Sequence, residues 1–354
     1  MIDVLVVEDS RATRDYLVYT IDACPGMRVI GAADSGEAAI EFLGKHRPDV
    51  ILMDIHLPGI DGFETTRRIM SSAPVPIVVC TASTHFNRMY TAMHALEAGA
   101  LAVLKKPGGF GGPGAQGEAE MINTLKLMSE VKLVRRWNQT APAARAVAEP
   151  MPLDSFGHDA AIVAIGASTG GPPVLSQILS ALSPAFAAPI LVVQHISAGF
   201  TVGFAEWLAT ASCLPVHVAR GGEIPLPGHV YVAPDDHHLH AGPHGELRTT
   251  RDEPHNGLRP SVGVLFRSVA GTFGRRAIGV LLTGMGRDGA EELKLMSDQG
   301  ALTVAQDEKS CVVFGMPAEA IRLGAARFVF PPHRIADLLN ASVRGGMNKV
   351  GIDG

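Results

Sequence analysis

The chain has 354 residues, and at roughly 100 to 200 residues per domain this predicts two domains rather than one core. Hydrophobic residues make up 47% and charged residues 18%, a balance that fills buried cores and excludes a disordered chain. Lys and Arg total 30 against 35 Asp and Glu, for a net charge of -5, which points away from a dedicated nucleic-acid binder.

Met1, Ile2, Asp3 and Val4 lead into apolar residues without a basic leader, and no apolar run approaches the roughly 18 residues of a membrane span. A cytoplasmic protein without membrane insertion is expected. Short apolar runs at 4–7, 30–33, 50–53, 77–80 and 101–104 alternate with helical patterns, which predicts a five-stranded parallel, doubly wound sheet. Ser35 followed by Glu37 and the spacing Ala38, Ile40, Phe42, Leu43 predicts a capped amphipathic helix. After Lys106 and Pro107, residues 108–117 read as a glycine-rich loop and 118–137 as a closing helix. An Ala- and Pro-rich stretch without period then reads as a linker, giving domains at 1–137 and 158–354 joined by 138–157. In the second domain, strands are predicted at 161–165, 190–193, 216–219, 277–282, 302–305 and 328–330, a helix at 172–182, and a hairpin over 238–249. This is again α/β, a mostly parallel sheet with an antiparallel hairpin. The four cysteines, Cys24, Cys80, Cys213 and Cys311, lack metal-binding or disulfide spacing.

In a doubly wound sheet the loops after the strands converge at one edge, which brings Glu8, Asp9, Asp54, Thr81 and Lys106 together. Crowded carboxylates repel and call for a divalent cation, and Mg²⁺ suits oxygen ligands beside a phosphate. Asp54 is then placed to attack a phosphoryl donor, with Thr81 and Lys106 binding its oxygens. Any one of these acids alone is an ordinary exposed strand-end residue; the set is what carries the argument. With Glu8-Asp9, Asp54, Pro58, Gly62, Thr81-Ala82 and Lys106-Pro107, residues 1–130 resemble a response-regulator receiver domain. The resemblance implies that Asp54 is the phosphoacceptor, that Asp9, Asp54 and the backbone carbonyl of His56 bind Mg²⁺, and that Glu8 acts mainly through metal-bound water. Val103, three residues before Lys106, stands where receivers often carry an aromatic residue.

Gly166-Ala167-Ser168-Thr169-Gly170-Gly171 joins a predicted strand to a predicted helix. Its spacing fits a nucleophile elbow at Ser168, and a turn of this kind also cradles phosphates, although the dinucleotide pattern would need glycine in place of Ser168. His195 follows the next strand, and Asp288 lies in Thr283-Gly284-Met285-Gly286-Arg287-Asp288-Gly289 after a later one. Singly, such a His or Asp is usually structural; at three matched strand ends they compose a Ser168, His195, Asp288 triad. The order Ser, His, Asp is not that of the α/β-hydrolases.

From about residue 158 onward the chain resembles the chemotaxis protein-glutamate methylesterases, the CheB family. The resemblance lies in residues 165–171, Gln194-His195, Tyr231-Val232-Ala233-Pro234, Arg259-Pro260-Ser261-Val262, residues 282–289 and Val313-Phe314-Gly315-Met316-Pro317. It implies hydrolysis of glutamyl γ-methyl esters, and deamidation of glutamines, on the cytoplasmic helices of methyl-accepting chemotaxis receptors. Thr169 and Met285 would make oxyanion and substrate contacts, and no cofactor would serve the esterase. A chemosensory histidine kinase would phosphorylate Asp54, relieving inhibition by the receiver. Ile196-Ser197 and Gly263 depart from the residues common in flagellar members, leaving open another chemosensory pathway, such as surface sensing or pilus motility. The rival from a different class is a non-catalytic, phosphorylation-controlled receptor-binding module. His237, His238, His240 and His244 suggest either a metal site or a polar hairpin face. Lys132, Arg135, Arg136 and Trp137 suggest a docking patch or a solvated helix end.

Overall fold

The first apolar run forms strand β1 (Ile2–Val7), buried from Val4 to Val7. Apolar residues on both faces are the mark of a parallel strand covered by helices. The computed structural model describes residues 1–81, 94–107, 114–131, 160–197 and 199–343, in two units, Met1–Ala146 and Val147–Gly354. In the first, β2 (Met27–Ala33), β3 (Val50–Met53), β4 (Ile77–Thr81) and β5 (Ala102–Lys105) join β1 in the order β2-β1-β3-β4-β5. Every pairing is parallel. Helices α1 (Arg11–Asp22), α2 (Gly36–Leu43) and α3 (Gly62–Ser72) begin at Ser10, Ser35 and Asp61, whose side chains accept from the amides of Thr13, Ala38 and Glu64. Such caps satisfy amides that a helix leaves unpaired.

Helix α4 (Gly114–Ser129) corrects the predicted loop, since it starts inside the glycine-rich stretch. The reason is register: Met121, Leu125 and Met128 lie four and three residues apart and are all buried, and that apolar stripe outweighs the low helix propensity of Gly114 and Gly117. The linker, the end of the closing helix at Trp137 and the Lys132, Arg135, Arg136 and Trp137 patch lie outside the described residues.

The second unit opens with β6 (Ile162–Ala167), α5 (Gly171–Ser180), β7 (Ile190–Gln194) and α6 (Thr201–Ala211). The edge strand β8 (Val216–Val218) and β9 (Val230–Val232) follow, then the hairpin β10 (His238–Ala241) and β11 (Leu247–Thr250). Next come α7 (Val262–Phe273), β12 (Ala277–Leu281), α8 (Ala290–Asp298), β13 (Leu302–Gln306), α9 (Met316–Arg322), β14 (Phe328–Phe330) and α10 (Pro332–Ser342). Seven strands make a parallel sheet in the order β14-β13-β12-β6-β7-β9-β8, and β10 pairs antiparallel with β11. The α/β class and the hairpin are as the sequence predicts; β9 is an added strand.

Both sheets reverse their strand order once. From β1 the chain crosses to β2 on one side and then to β3 on the other; from β6 it goes to β7, and later to β12 on the opposite side. Loops diverge at such a switch point and leave a crevice at the carboxyl edge, the usual ligand site of an open α/β sheet.

Candidate active site

The parallel register sets Ala167 of β6 opposite Gln194 of β7, so the residues that follow, Ser168 and His195, leave the sheet side by side. Backbone bonds fix both. The His195 amide donates to Ala167 O at 3.0 Å and the Ser168 amide to Thr283 O at 3.0 Å. The Gln194 side-chain amide donates to Ser168 O at 2.9 Å and to His195 O at 2.7 Å, tying the two loops together. Gly284 packs directly on the turn at Ser168: a Cβ there would lie 2.7 Å from Ser168 Cβ, closer than two carbons tolerate.

Asp288 comes from the same loop after β12. Its Oδ2 accepts from His195 Nε2 at 2.9 Å and from the Val262 amide at 2.7 Å. Its Oδ1 accepts from Ser261 Oγ at 2.8 Å and from the Gly263 amide at 3.1 Å. The carboxylate therefore sits on the first turn of α7, where unpaired amides and the helix dipole favour an anion. Burial opposes its ionisation, but the bonds from His195, Ser261 and Val262 outweigh burial and hold Asp288 below the usual carboxylate range. Because Nε2 is committed to Asp288, Nδ1 is the nitrogen left to take a serine proton. Among the described residues Ser168 Oγ has no hydrogen-bond partner, a common state before substrate tightens a site. Thr169, next to Ser168 in the chain, and Met285, next to Gly284, are half-buried, and their backbone amides donate to no group among the described residues, so both could donate to a developing oxyanion.

In the first unit, Glu8 and Asp9 follow β1 and Asp54 follows β3, with carboxylate oxygens within 4.8 Å of one another. Lys106 follows β5 and places Nζ 2.6 Å from Glu8 Oε2 and 2.8 Å from Asp54 Oδ2. Asp54 Oδ1 accepts from the Ile55 amide at 2.7 Å. Thr81 ends β4, buried, and its carbonyl accepts from the Lys106 amide at 3.1 Å. His56 lies exposed two residues beyond Asp54. Burial pushes Glu8 above the usual glutamate range, only partly offset by Lys106. Burial also pulls the Lys106 ammonium down, but its bonds to Asp54 and Glu8 more than offset this and hold it above the usual lysine value. Three carboxylates against one ammonium leave the pocket anionic. Glu8 Oε2 lies against the Lys106 ammonium but has no aligned hydrogen bond. Three hard carboxylate donors this close together, with one ammonium to neutralise them, fit Mg²⁺.

The histidines of the hairpin region have partners of their own. His237 Nδ1 pairs with Asp235 O at 2.7 Å, His238 Nε2 with Glu253 O at 3.2 Å and His240 Nε2 with Thr250 Oγ1 at 2.9 Å. Among the described residues the one close group of potential metal ligands is Glu8, Asp9 and Asp54. His238 also departs from a polar face: it is buried, and its Nδ1 accepts from the Ser261 amide at 3.3 Å. Sequence reasoning missed three supports of the site. Gln194 and Ser261 stand within motifs that carry the family resemblance, and Thr283 Oγ1 accepts from the Val312 and Val313 amides at 3.1 and 2.9 Å.

Both parts of the chain are similar to known proteins. Residues 163–339 match the CheB methylesterase family and residues 4–111 the response regulator receiver domain. A protein-glutamate methylesterase/protein-glutamine glutaminase from Nitrosospira multiformis is 51% identical over 356 residues, covering 99% of this chain and 100% of that protein. The chain belongs to the CheB methylesterase family. Another relative of that name, numbered 1 in Syntrophus aciditrophicus, is 48% identical over 96% of this chain and 97% of its own. The crystal structure of the Thermotoga maritima CheB methylesterase catalytic domain is 39% identical, with a TM-score of 0.50, and covers 51% of this chain and 97% of that one. A CheB-family chain of this kind sets a receiver domain ahead of an α/β esterase domain, the order found here.

Proposed function

We propose that this chain is a phosphorylation-activated hydrolase that removes methyl groups from glutamate γ-methyl esters, and deamidates glutamines, on the cytoplasmic helices of methyl-accepting chemotaxis receptors. The observation that carries the reading is the His195–Asp288 pair held at 2.9 Å on the first turn of α7, one strand end away from Ser168. Ser168 Oγ attacks the ester carbonyl while His195 Nδ1 takes its proton, and Asp288 stabilises the imidazolium through Nε2. The amides of Thr169 and Met285 receive the developing oxyanion. Imidazolium returns the proton to the methoxide leaving group, releasing methanol and an acyl-serine. Water then attacks the acyl-serine with His195 again as base, which leaves a glutamate side chain and free Ser168. A glutamine follows the same course with ammonia as the leaving group.

Asp54 is the phosphoacceptor, taking its phosphoryl group from a chemosensory histidine kinase, with Thr81 and Lys106 binding the phosphoryl oxygens. Mg²⁺ held by Asp9, Asp54 and the His56 carbonyl, with Glu8 acting through water, would supply charge neutralisation. The receiver occupies 1–137 and the esterase 158–354, joined by 138–157. Among the described residues no helix is long and apolar enough to cross a membrane, and a cytoplasmic location suits receptors whose cytoplasmic helices are the substrate.

The test is methanol release from methylated receptor membranes, with and without Mg²⁺ and a small phosphodonor. Wild type should release methanol and do so faster with phosphodonor, while Ser168→Ala should lose several orders of magnitude in rate. Release persisting in Ser168→Ala would overturn the triad. Trying receptors of different chemosensory systems in the same assay identifies the pathway, and release from none would favour a non-catalytic binding module.

A further inference from the structure

Asp288 is held by four donors besides being buried, and three of them are plain consequences of the fold: the triad imidazole and two amides of the first turn of α7. The fourth, Ser261, is different because it is tied outward as well. Ser261 is fully buried, and its Oγ lies 2.8 Å from Asp288 Oδ1. A hydroxyl has one hydrogen, so with that hydrogen given to the carboxylate, Oγ must act as an acceptor towards everything else. His255 Nδ1 faces it at 3.3 Å. On the far side of that ring, Arg267 Nη2 faces His255 Nε2 at 3.5 Å. A guanidinium only donates, so Nε2 accepts and the ring proton resides on Nδ1, directed at Ser261.

The donor directions thus run one way, from Arg267 through His255 and Ser261 to Asp288. Both outer members are anchored. Reciprocal backbone bonds of 3.1 and 3.0 Å between His255 and Leu258 close a tight turn, and Arg267 pairs with Glu292 at 2.6 Å. Ser261 also caps α7, its Oγ accepting from the Val264 amide at 3.4 Å. A cap does not require the bond to Asp288, which itself accepts from the first two amides of the helix.

We propose that Ser261 is a positioning residue of the esterase centre, oriented by His255, which fixes the Asp288 carboxylate so that His195 keeps its proton on Nε2 and offers Nδ1 to Ser168. This rests on the triad reading above. It adds a hydroxyl that touches neither substrate nor the reacting atoms and is reached from the surface through an imidazole.

The test uses the full chain and a fluorophosphonate probe, which reports the nucleophilicity of Ser168 without any receptor. Ser261→Gly removes the hydroxyl at a helix start that tolerates glycine, and His255→Leu cuts the next link from a residue outside α7, leaving the Arg267–Glu292 pair in place. Ser261→Gly should reach the wild-type labelling stoichiometry with a rate constant lowered about tenfold or more, the worth of one hydrogen bond to a buried charge. His255→Leu should slow labelling about threefold. A purely structural role would instead lower the stoichiometry and leave the rate constant of the folded fraction unchanged, which would overturn the inference, as would wild-type kinetics in Ser261→Gly. If Ser261→Gly does not fold, the His255→Leu rate constant decides: unchanged, it overturns the relay. A wild-type chain that takes no label overturns the nucleophile assignment and the inference with it, so the two failures are told apart.

Discussion

Asp288 combines two properties that seldom coincide in one carboxylate, since it is buried yet held ionised by the donors around it. The sign of the consequence follows from linkage. Its native pKa lies below the unfolded value, so the ionised group contributes stability near neutral pH, and that contribution is lost as pH falls through the lowered native value. Asp288→Asn should therefore be less stable than wild type at about pH 7, with the gap narrowing at about pH 3, where the unfolded-state aspartate is protonated. Urea unfolding of both proteins at the two pH values checks this, and a gap that widens on acidification would contradict it. Single residues also show what a sequence can disclose. Glu8, Asp9, Asp54, Thr81, Lys106, Ser168 and His195 each stand at or just beyond the end of an apolar strand, so strand periodicity marks them, while Asp288 lies seven residues past β12 and is marked by the glycine-rich loop around it. Gln194 and Ser261 act through bonds to partners 26 and 27 residues away, and no local spacing records such a bond.

At the scale of elements, the esterase centre depends on how closely α7 approaches the sheet. Val262, the first residue of α7, donates to Asp288 and also packs against Gly166 of β6 and Gly289 before α8. A Cβ at Gly166 would overlap the Val262 side chain, so Gly166→Ala must push the start of α7 outward. Overpacking of this kind costs about 1–3 kcal/mol, and here the displaced amide is one that holds the Asp288 carboxylate. We expect Gly166→Ala to lower the thermal midpoint of the esterase unit and to slow probe labelling of Ser168 together. A lowered midpoint with unchanged labelling would show that α7 shifts without moving Asp288. The limits of legibility at this scale are also physical. β9, Val230–Val232, is a short apolar run followed directly by Ala233-Pro234, and its pairing with β7 and β8 identifies it as a strand. Helix α4 begins at Gly114, where composition signals a loop, because the buried stripe that stabilises it lies further along at Met121, Leu125 and Met128.

For the molecule as a whole, the repeated design is one switch point per sheet with candidate chemistry at its crevice, an acidic pocket around Asp54 in the first unit and the Ser168, His195 and Asp288 group in the second. Each unit has its own parallel sheet, so a change confined to the first pocket leaves the register of β6, β7 and β12 intact. That separation makes control testable. If phosphorylation acts by shifting a population between less and more active states, its effect must pass through Asp54 alone. Asp54→Asn keeps the size of the side chain and removes the oxygen that, on the proposed reading, forms the acyl phosphate. In receptor membranes with Mg²⁺ and a small phosphodonor, wild type should release methanol faster than without the phosphodonor. Asp54→Asn should release it at one rate under both conditions, and that rate should be abolished by adding Ser168→Ala to the same chain. Stimulation that survives in Asp54→Asn would place the phosphoacceptor elsewhere, whereas a loss of all activity in Asp54→Asn would mean that the first pocket supports the esterase centre directly and does not act as a switch.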